Sequence, residues 1–168
     1  MNPSPTNFDL TLPPIAQRNV ASVFDGLLHR VPDKVAVRDA DGSLTYAALH
    51  DRSLKLGGGF ASRGFVAGEH VLLMLDNHLD YVVAWLGLAL TGRVEVPVNT
   101  AYKGTILAHV VNNSGARAIV IESQYCAVLA EVADRLTTLE LVVVRGAVSP
   151  AAVGLPGRLH VIAFDELF

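Results

Sequence analysis

From Val94 to Phe164 short apolar runs alternate with stretches of helical length, and no other feature of this chain restricts its fold as tightly. The runs are VEVPV (94–98), RAIVIES (117–123), LELVVVR (139–145) and LHVIAF (159–164). Helices are predicted between them over Thr105 to Asn112 and Gln124 to Leu136, followed by a loop GAVSPAAVGLPG (146–157). Strands that are apolar at nearly every position are buried on both faces, and a helix supplies the crossover that parallel neighbours need. The expected architecture is α/β, a parallel-rich sheet flanked by helices.

The N-terminal half leads into this rhythm. Val23, Leu27 and Arg30 fall at helical spacing, and Pro32 halts that helix. Val35 and Val37 alternate before Asp41-Gly42, a tight-turn signal, so a hairpin returning through Ser43 to Thr45 is predicted. Leu49, Leu56 and Phe60 then mark a longer helix, and HVLLML (70–75) reads as a strand. Asn77 is the predicted cap of a further helix in which Tyr81, Trp85 and Leu88 share a face. Most of its other positions are apolar too, so burial on nearly all sides is expected.

LGGGFASRGFVAG (56–68) raises the question of a phosphate-binding loop. Such a loop is entered from a strand and opens a helix, because converging backbone N–H groups hold the anion there. Here the order is reversed: helix, glycines, strand. Gly57 to Gly59 are instead expected in the last turns of a helix that packs closely on a sheet, with Gly64 and Gly68 as its stop and the turn into the strand.

Composition narrows the function classes. Of the 168 residues 51% are hydrophobic and 17% charged, enough for one domain with a real core and some apolar surface for a partner. A net charge of -3 without a basic cluster argues against nucleic acid. The apolar stretch Leu79 to Leu90 is shorter than the roughly 20 residues of a bilayer span, so no membrane span is expected. Residues 1–18 read as a flexible leader without a signal core, and a single cysteine, Cys126, agrees with a reducing cytoplasm and a core position. The six histidines never fall at i, i+4, the serines lack a nucleophile elbow, and the sequon Asn112-Asn113-Ser114 would not meet its enzyme. Asp76, Asp80 and Glu95 are the acidic residues nearest predicted strand ends, where open α/β sheets place ligands, although roles as helix caps and surface charges account for them better. The final FDELF begins another helix with Asp165 as its cap, so residues 19–168 are expected to form the front part of a longer protein.

Two stretches carry a resemblance. SLTYAALHDRSLKLGGGFASRGFVAGEHVLLMLDNHLDYVVAWLGLALTG (43–92) resembles the N-terminal part of the class I adenylate-forming enzymes, which include acyl-CoA synthetases, peptide-synthetase adenylation domains and luciferases. Leu44-Thr45-Tyr46 with Leu49 matches that family's L-T-Y-x-E-L, with Ala48 in place of Glu. GLALTGRVEVPVNTAYKG (87–104) is similar to its L-x-x-G-A-V-x-V-P-x-N, with Arg93 in place of Ala.

The resemblance implies an AMP-forming ligase that uses ATP, magnesium and coenzyme A: a carboxylic acid becomes an acyl-adenylate and is passed to the thiol. It also implies that the phosphate-holding loop, the ribose-binding aspartate and the C-terminal catalytic lysine lie beyond Phe168, so the chain alone is expected to be inactive, with no catalytic or metal-binding residue of its own. The Asn99 ending favours acyl-CoA ligases over peptide-synthetase domains, and VEVPVNTAYKG (94–104) resembles most the ligases of small or medium acids. Peptide-synthetase or aryl acid adenylation domains, and a non-catalytic partner-binding module, are the alternatives. In related ligases a basic residue just after this segment approaches the nucleotide phosphate of coenzyme A. Its position here is Ala101, and the nearest cation, Lys103, is the expected cofactor contact. Surfaces left uncovered by the missing part would favour self-association.

Overall fold

A computed structural model describes residues 14–147 and 154–168. Most of the leader and part of the 146–157 loop lie outside the described residues; Ile15–Gln17, within the leader, forms a single 3-10 turn.

Asn19 opens α1 (Val20–Arg30) with a reciprocal cap, its side chain taking the Ser22 N–H while the Ser22 hydroxyl takes that of Asn19. The hairpin β1 (Val35–Arg38) and β2 (Ser43–Thr45) turns on Asp39, whose carboxylate accepts from the N–H groups of Asp41 and Gly42. After α2 (Tyr46–Ala61) the chain alternates through β3 (His70–Met74), α3 (Leu79–Leu90), β4 (Val94–Pro97), α4 (Gly104–Ser114), β5 (Ala118–Glu122), α5 (Cys126–Ala130), β6 (Leu141–Arg145) and β7 (His160–Ala163). The last five strands form one parallel sheet in the order β4-β3-β5-β6-β7.

Strand alternation divides the core into two layers. Val71, Leu73, Val120 and Val143 face α1, α2 and α3, where Phe24, Leu56, Phe60 and Leu86 meet them. Leu72, Met74, Ile119, Ile121, Val142 and Val144 face α4 and α5, against Leu107, Val111, Cys126 and Leu129. Both faces of the sheet are covered by apolar side chains, so the strands read as continuous apolar runs.

Four expectations need correction. Gly57 and Gly59 do not pack on the sheet: a Cβ on Gly57 would strike Thr91 of the α3 C-cap, and one on Gly59 the backbone of Leu167. α3 is capped by His78, not Asn77, because His78 holds the extended backbone of a cap and its Nδ1 accepts from the Tyr81 N–H. The helix predicted over Gln124 to Leu136 is broken into a 3-10 turn (Ser123–Tyr125), α5 and a second 3-10 turn (Ala133–Arg135). Arg158, more than twenty residues away, draws the carbonyls of Ala133 and Leu136 into its guanidinium, satisfying them outside a helical ladder. The closing segment Phe164–Leu167 is a 3-10 turn in which the Glu166 carboxylate accepts from the Ala163 N–H, so Asp165 is not its cap.

Candidate functional site

All five strands run the same way, so the loops after β3, β4, β5 and β6 gather at one carboxyl edge. The winding reverses between β3 and β5: α3 joins β3 to β4 across one face and α4 joins β4 to β5 across the other. A crevice at such a reversal is where doubly wound sheets take their ligands. Here side chains span it. His78 Nε2 lies 2.5 Å from Glu122 Oε1, and Asp76 accepts from the Tyr125 hydroxyl (2.8 Å) and the Gln124 amide (2.7 Å). Arg145, ending β6, joins Glu122 (3.3 Å) to Asp80 (2.7 Å), and Arg52 of α2 takes the other Asp80 oxygen at 2.9 Å. Burial weakens the Arg145 charge, but its bonds to Asp80 and the nearby Glu122 outweigh that and raise its pKa. Glu122 is 7% exposed, and a carboxylate so buried requires partners of this kind.

A helix N-terminus beside such a crevice is ordinarily an anion seat. At α3 the protein fills it from within. The Asp39 carboxylate accepts from the Leu79 N–H at 2.8 Å, and this bond, with the two turn amides, holds its carboxyl below the ordinary range. The groups here therefore do not fit a triphosphate, and among the described residues no cluster of three or more His, Cys, Asp or Glu is placed to hold a metal. Beside the crevice, between the 75–77 and 97–102 loops, runs a groove of about 480 Å³ lined by Asp76, Asn77, Tyr81, Val98, Asn99 and Tyr102. Asn99 shapes its far wall, its side chain accepting from the Ala101 N–H (2.9 Å) and its carbonyl from that of Tyr102 (3.0 Å). This turn delivers Lys103 to the N-cap of α4, where no side chain caps the helix. An exposed ammonium next to uncapped N–H groups suits one anionic group. Below the groove the Tyr81 hydroxyl donates to Glu95 Oε1 at 3.2 Å, and burial pushes both groups up in pKa. The arrangement pairs charges and shapes loops.

A family model described as AMP-binding enzyme matches residues 24–156. The chain belongs to the AMP-binding enzyme family. A long-chain-fatty-acid–CoA ligase of Escherichia coli O6:H1 is 29% identical over 146 residues, 86% of this chain and 26% of that protein. A medium/long-chain-fatty-acid–CoA/3-oxocholest-4-en-26-oate–CoA ligase of Mycobacterium tuberculosis is 34% identical over 107 residues, 64% of this chain and 20% of that protein. Among solved structures, an anthranilate CoA ligase in complex with anthranoyl-AMP superposes with a TM-score of 0.77 at 20% identity, over 89% of this chain and 27% of its own, a likeness of fold. This AMP-binding family chain thus spans between a fifth and about a quarter of the curated relatives it matches.

The family's motif residues have local physical roles. Thr45 caps α2, accepting from the Ala48 N–H; the usual Glu at position 48 would stand at the third helical residue, the reciprocal place of a capping box, so half of that box is present. Arg93 is buried against the Phe65 carbonyl, its Nε without a partner among the described residues, and burial lowers its pKa. Of the acidic residues predicted near strand ends, Asp76 and Asp80 both lie at the carboxyl edge, with separate partners, Tyr125 and Arg145, whereas Glu95 lies within β4 against Tyr81. Lys103 stands apart from that charged chain, on the α4 side of the groove. Sequence reasoning missed His78, Glu122, Arg145 and Arg52. Glu122 and Arg145 did carry a signal, a charge closing an apolar strand at its carboxyl end; His78 and Arg52 carried none.

Proposed function

We propose that this chain supplies the N-terminal α/β layer of the large domain of an AMP-forming acyl-CoA ligase that activates fatty acids. The observation that carries this reading is the family match over residues 24–156, laid on a parallel sheet whose own anion seat is filled by Asp39. In such a ligase the carboxylate attacks ATP, pyrophosphate leaves with magnesium and cationic groups offsetting its charge, and the coenzyme A thiol displaces AMP. The ATP and magnesium sites belong to the part of the ligase outside this chain, and the ligase works in the cytoplasm, where ATP and coenzyme A are supplied. This chain contributes scaffold and one contact: Lys103, at the uncapped start of α4, pairs with the nucleotide phosphate of coenzyme A. Alone it self-associates through the apolar surface that the rest of the ligase would cover.

The test compares the 168-residue chain with the protein its host makes. The chain is expected to give no ATP–pyrophosphate exchange with any fatty acid, and a several-hundred-residue host product to give exchange and acyl-CoA. Exchange by the chain alone, or a host product of 17.9 kDa, overturns the reading. In the active ligase Lys103→Ala raises KM for coenzyme A several-fold and leaves adenylate formation intact; an unchanged KM removes the contact.

A further inference from the structure

We infer that His78 is a positioning residue: held in a single tautomer, it staples shut the crevice between β3 and β5 and thereby fixes the Asp76–Asn77 wall of the neighbouring groove. Two bonds to opposite ring nitrogens carry this. Nδ1 lies 3.2 Å from the Tyr81 nitrogen, whose N–H is shared with the His78 carbonyl (3.1 Å) and can only donate, so Nδ1 faces it as an acceptor and bears no proton. The ring proton is therefore on Nε2, where it meets Glu122 Oε1 at 2.5 Å. Neither bond is made with the other tautomer, because Nδ1–H would oppose the backbone N–H and bare Nε2 would oppose the carboxylate. Both partners are fixed in turn: Tyr81 belongs to the first turn of α3, and Glu122 is 7% exposed and held by Arg145.

The consequence is geometric. A serine would cap α3 as well as histidine does, so capping alone gives no reason for an imidazole. What serine lacks is reach: only the ring spans from the α3 N-terminus to the end of β5, linking residues 44 apart in sequence. The staple thus ties the 75–77 loop to the rigid interior of the sheet, and with the Asp76–Tyr125 bond it occupies the place where a doubly wound sheet would take a ligand. The groove toward Asn99 and Tyr102 is left open beside it, its Asp76–Asn77 wall held in place through His78. Nothing in this step depends on the ligase reading, and it is tested without catalysis.

The measurement is made on the 168-residue chain. Long-range proton–nitrogen correlation of the imidazole is expected to show a proton on Nε2 and none on Nδ1; a proton on Nδ1 alone overturns the inference. His78→Ser, which keeps the cap and removes the staple, is expected to speed amide exchange in 75–77 and 123–125 by at least about tenfold, while the α4 amides stay unchanged. Glu122→Gln, whose amide oxygen still accepts from Nε2–H, is expected to keep the tautomer and most of the protection. Unchanged exchange in His78→Ser, or a general rise that includes α4, reduces His78 to a cap and refutes a positioning role.

Discussion

Gly59 of α2 has no side chain at the point where the backbone carbonyl of Leu167 comes to rest. Around that contact the last residues of the chain are tied to α2: Arg63 Nη2 donates to the Glu166 carbonyl at 2.9 Å, and the Arg52 guanidinium lies 5.7 Å from the centre of the Phe168 ring. The close approach makes the C-terminal turn part of the layer rather than a tail.

Two neighbouring glycines should therefore respond with opposite signs. In Gly59→Ala the new Cβ must push Leu167 away, at a cost of about 1–3 kcal/mol. In Gly58→Ala the Cβ meets open space, and the gain in helix propensity is up to about 1 kcal/mol. Urea unfolding of both variants decides; equal signs would remove the close-approach argument.

Glu95 should destabilise the fold near neutral pH. Burial raises its carboxyl above 4.5, with the Tyr81 bond only partly opposing this, so its contribution is fully favourable below pH 4.5 and is lost as pH rises through the folded value. Glu95→Gln keeps an acceptor for the Tyr81 hydroxyl and removes the charge. It is expected to melt higher than the parent at pH 7, with the gap closing toward pH 4. A pH-independent gap would point to packing instead of ionisation.

Glu69 works in the other direction. Its bond to Arg117 (2.6 Å), aided by the Val66 N–H, holds the carboxyl below 4.5. Stability from this pair is present above 4.5 and is lost as pH falls through the lower folded value. Arg117 also takes Glu140 and lies 4.9 Å from the centre of the Phe65 ring, so it stays in place when Glu69 is replaced. Thermal melts between pH 5 and pH 2 should show a shallower acid limb for Glu69→Gln than for the parent. Parallel limbs would show that the pair contributes nothing in solution.

How much of this could be read from the sequence follows from the range of each interaction. The strands were legible because Val71 to Met74, Ile119 to Ile121 and Val142 to Val144 must be apolar on both faces, a property each run carries within itself. The glycine run was legible as a helix end, but its partners, Thr91 and Leu167, belong to distant segments. The same holds for the broken helix after β5, undone by Arg158, and for the site. Asp76 and Asp80 announced themselves as acids near strand ends, while His78 gained meaning only when the fold set Glu122 beside it.

Cys126 offers a reporter of motion under this carboxyl edge. It is 3% exposed, its thiol donates to the Glu122 carbonyl at 3.6 Å, and burial, reinforced by the nearby Glu122 charge, pushes its pKa up to about 11. Because the thiolate is the reactive form, roughly one thiol in a thousand is reactive at pH 8 even before access is considered. Labelling by an aromatic disulfide reagent should then be slow in the native protein and faster by at least about a hundredfold in urea, where the thiol is ordinary and open. If native labelling follows global stability across a denaturant series, α5 opens only when the whole sheet does. If it outpaces global unfolding but stays slow, α5 opens as a local unit, and its rate measures how firmly this layer is held. Labelling within the mixing time would contradict the buried position of Cys126 altogether.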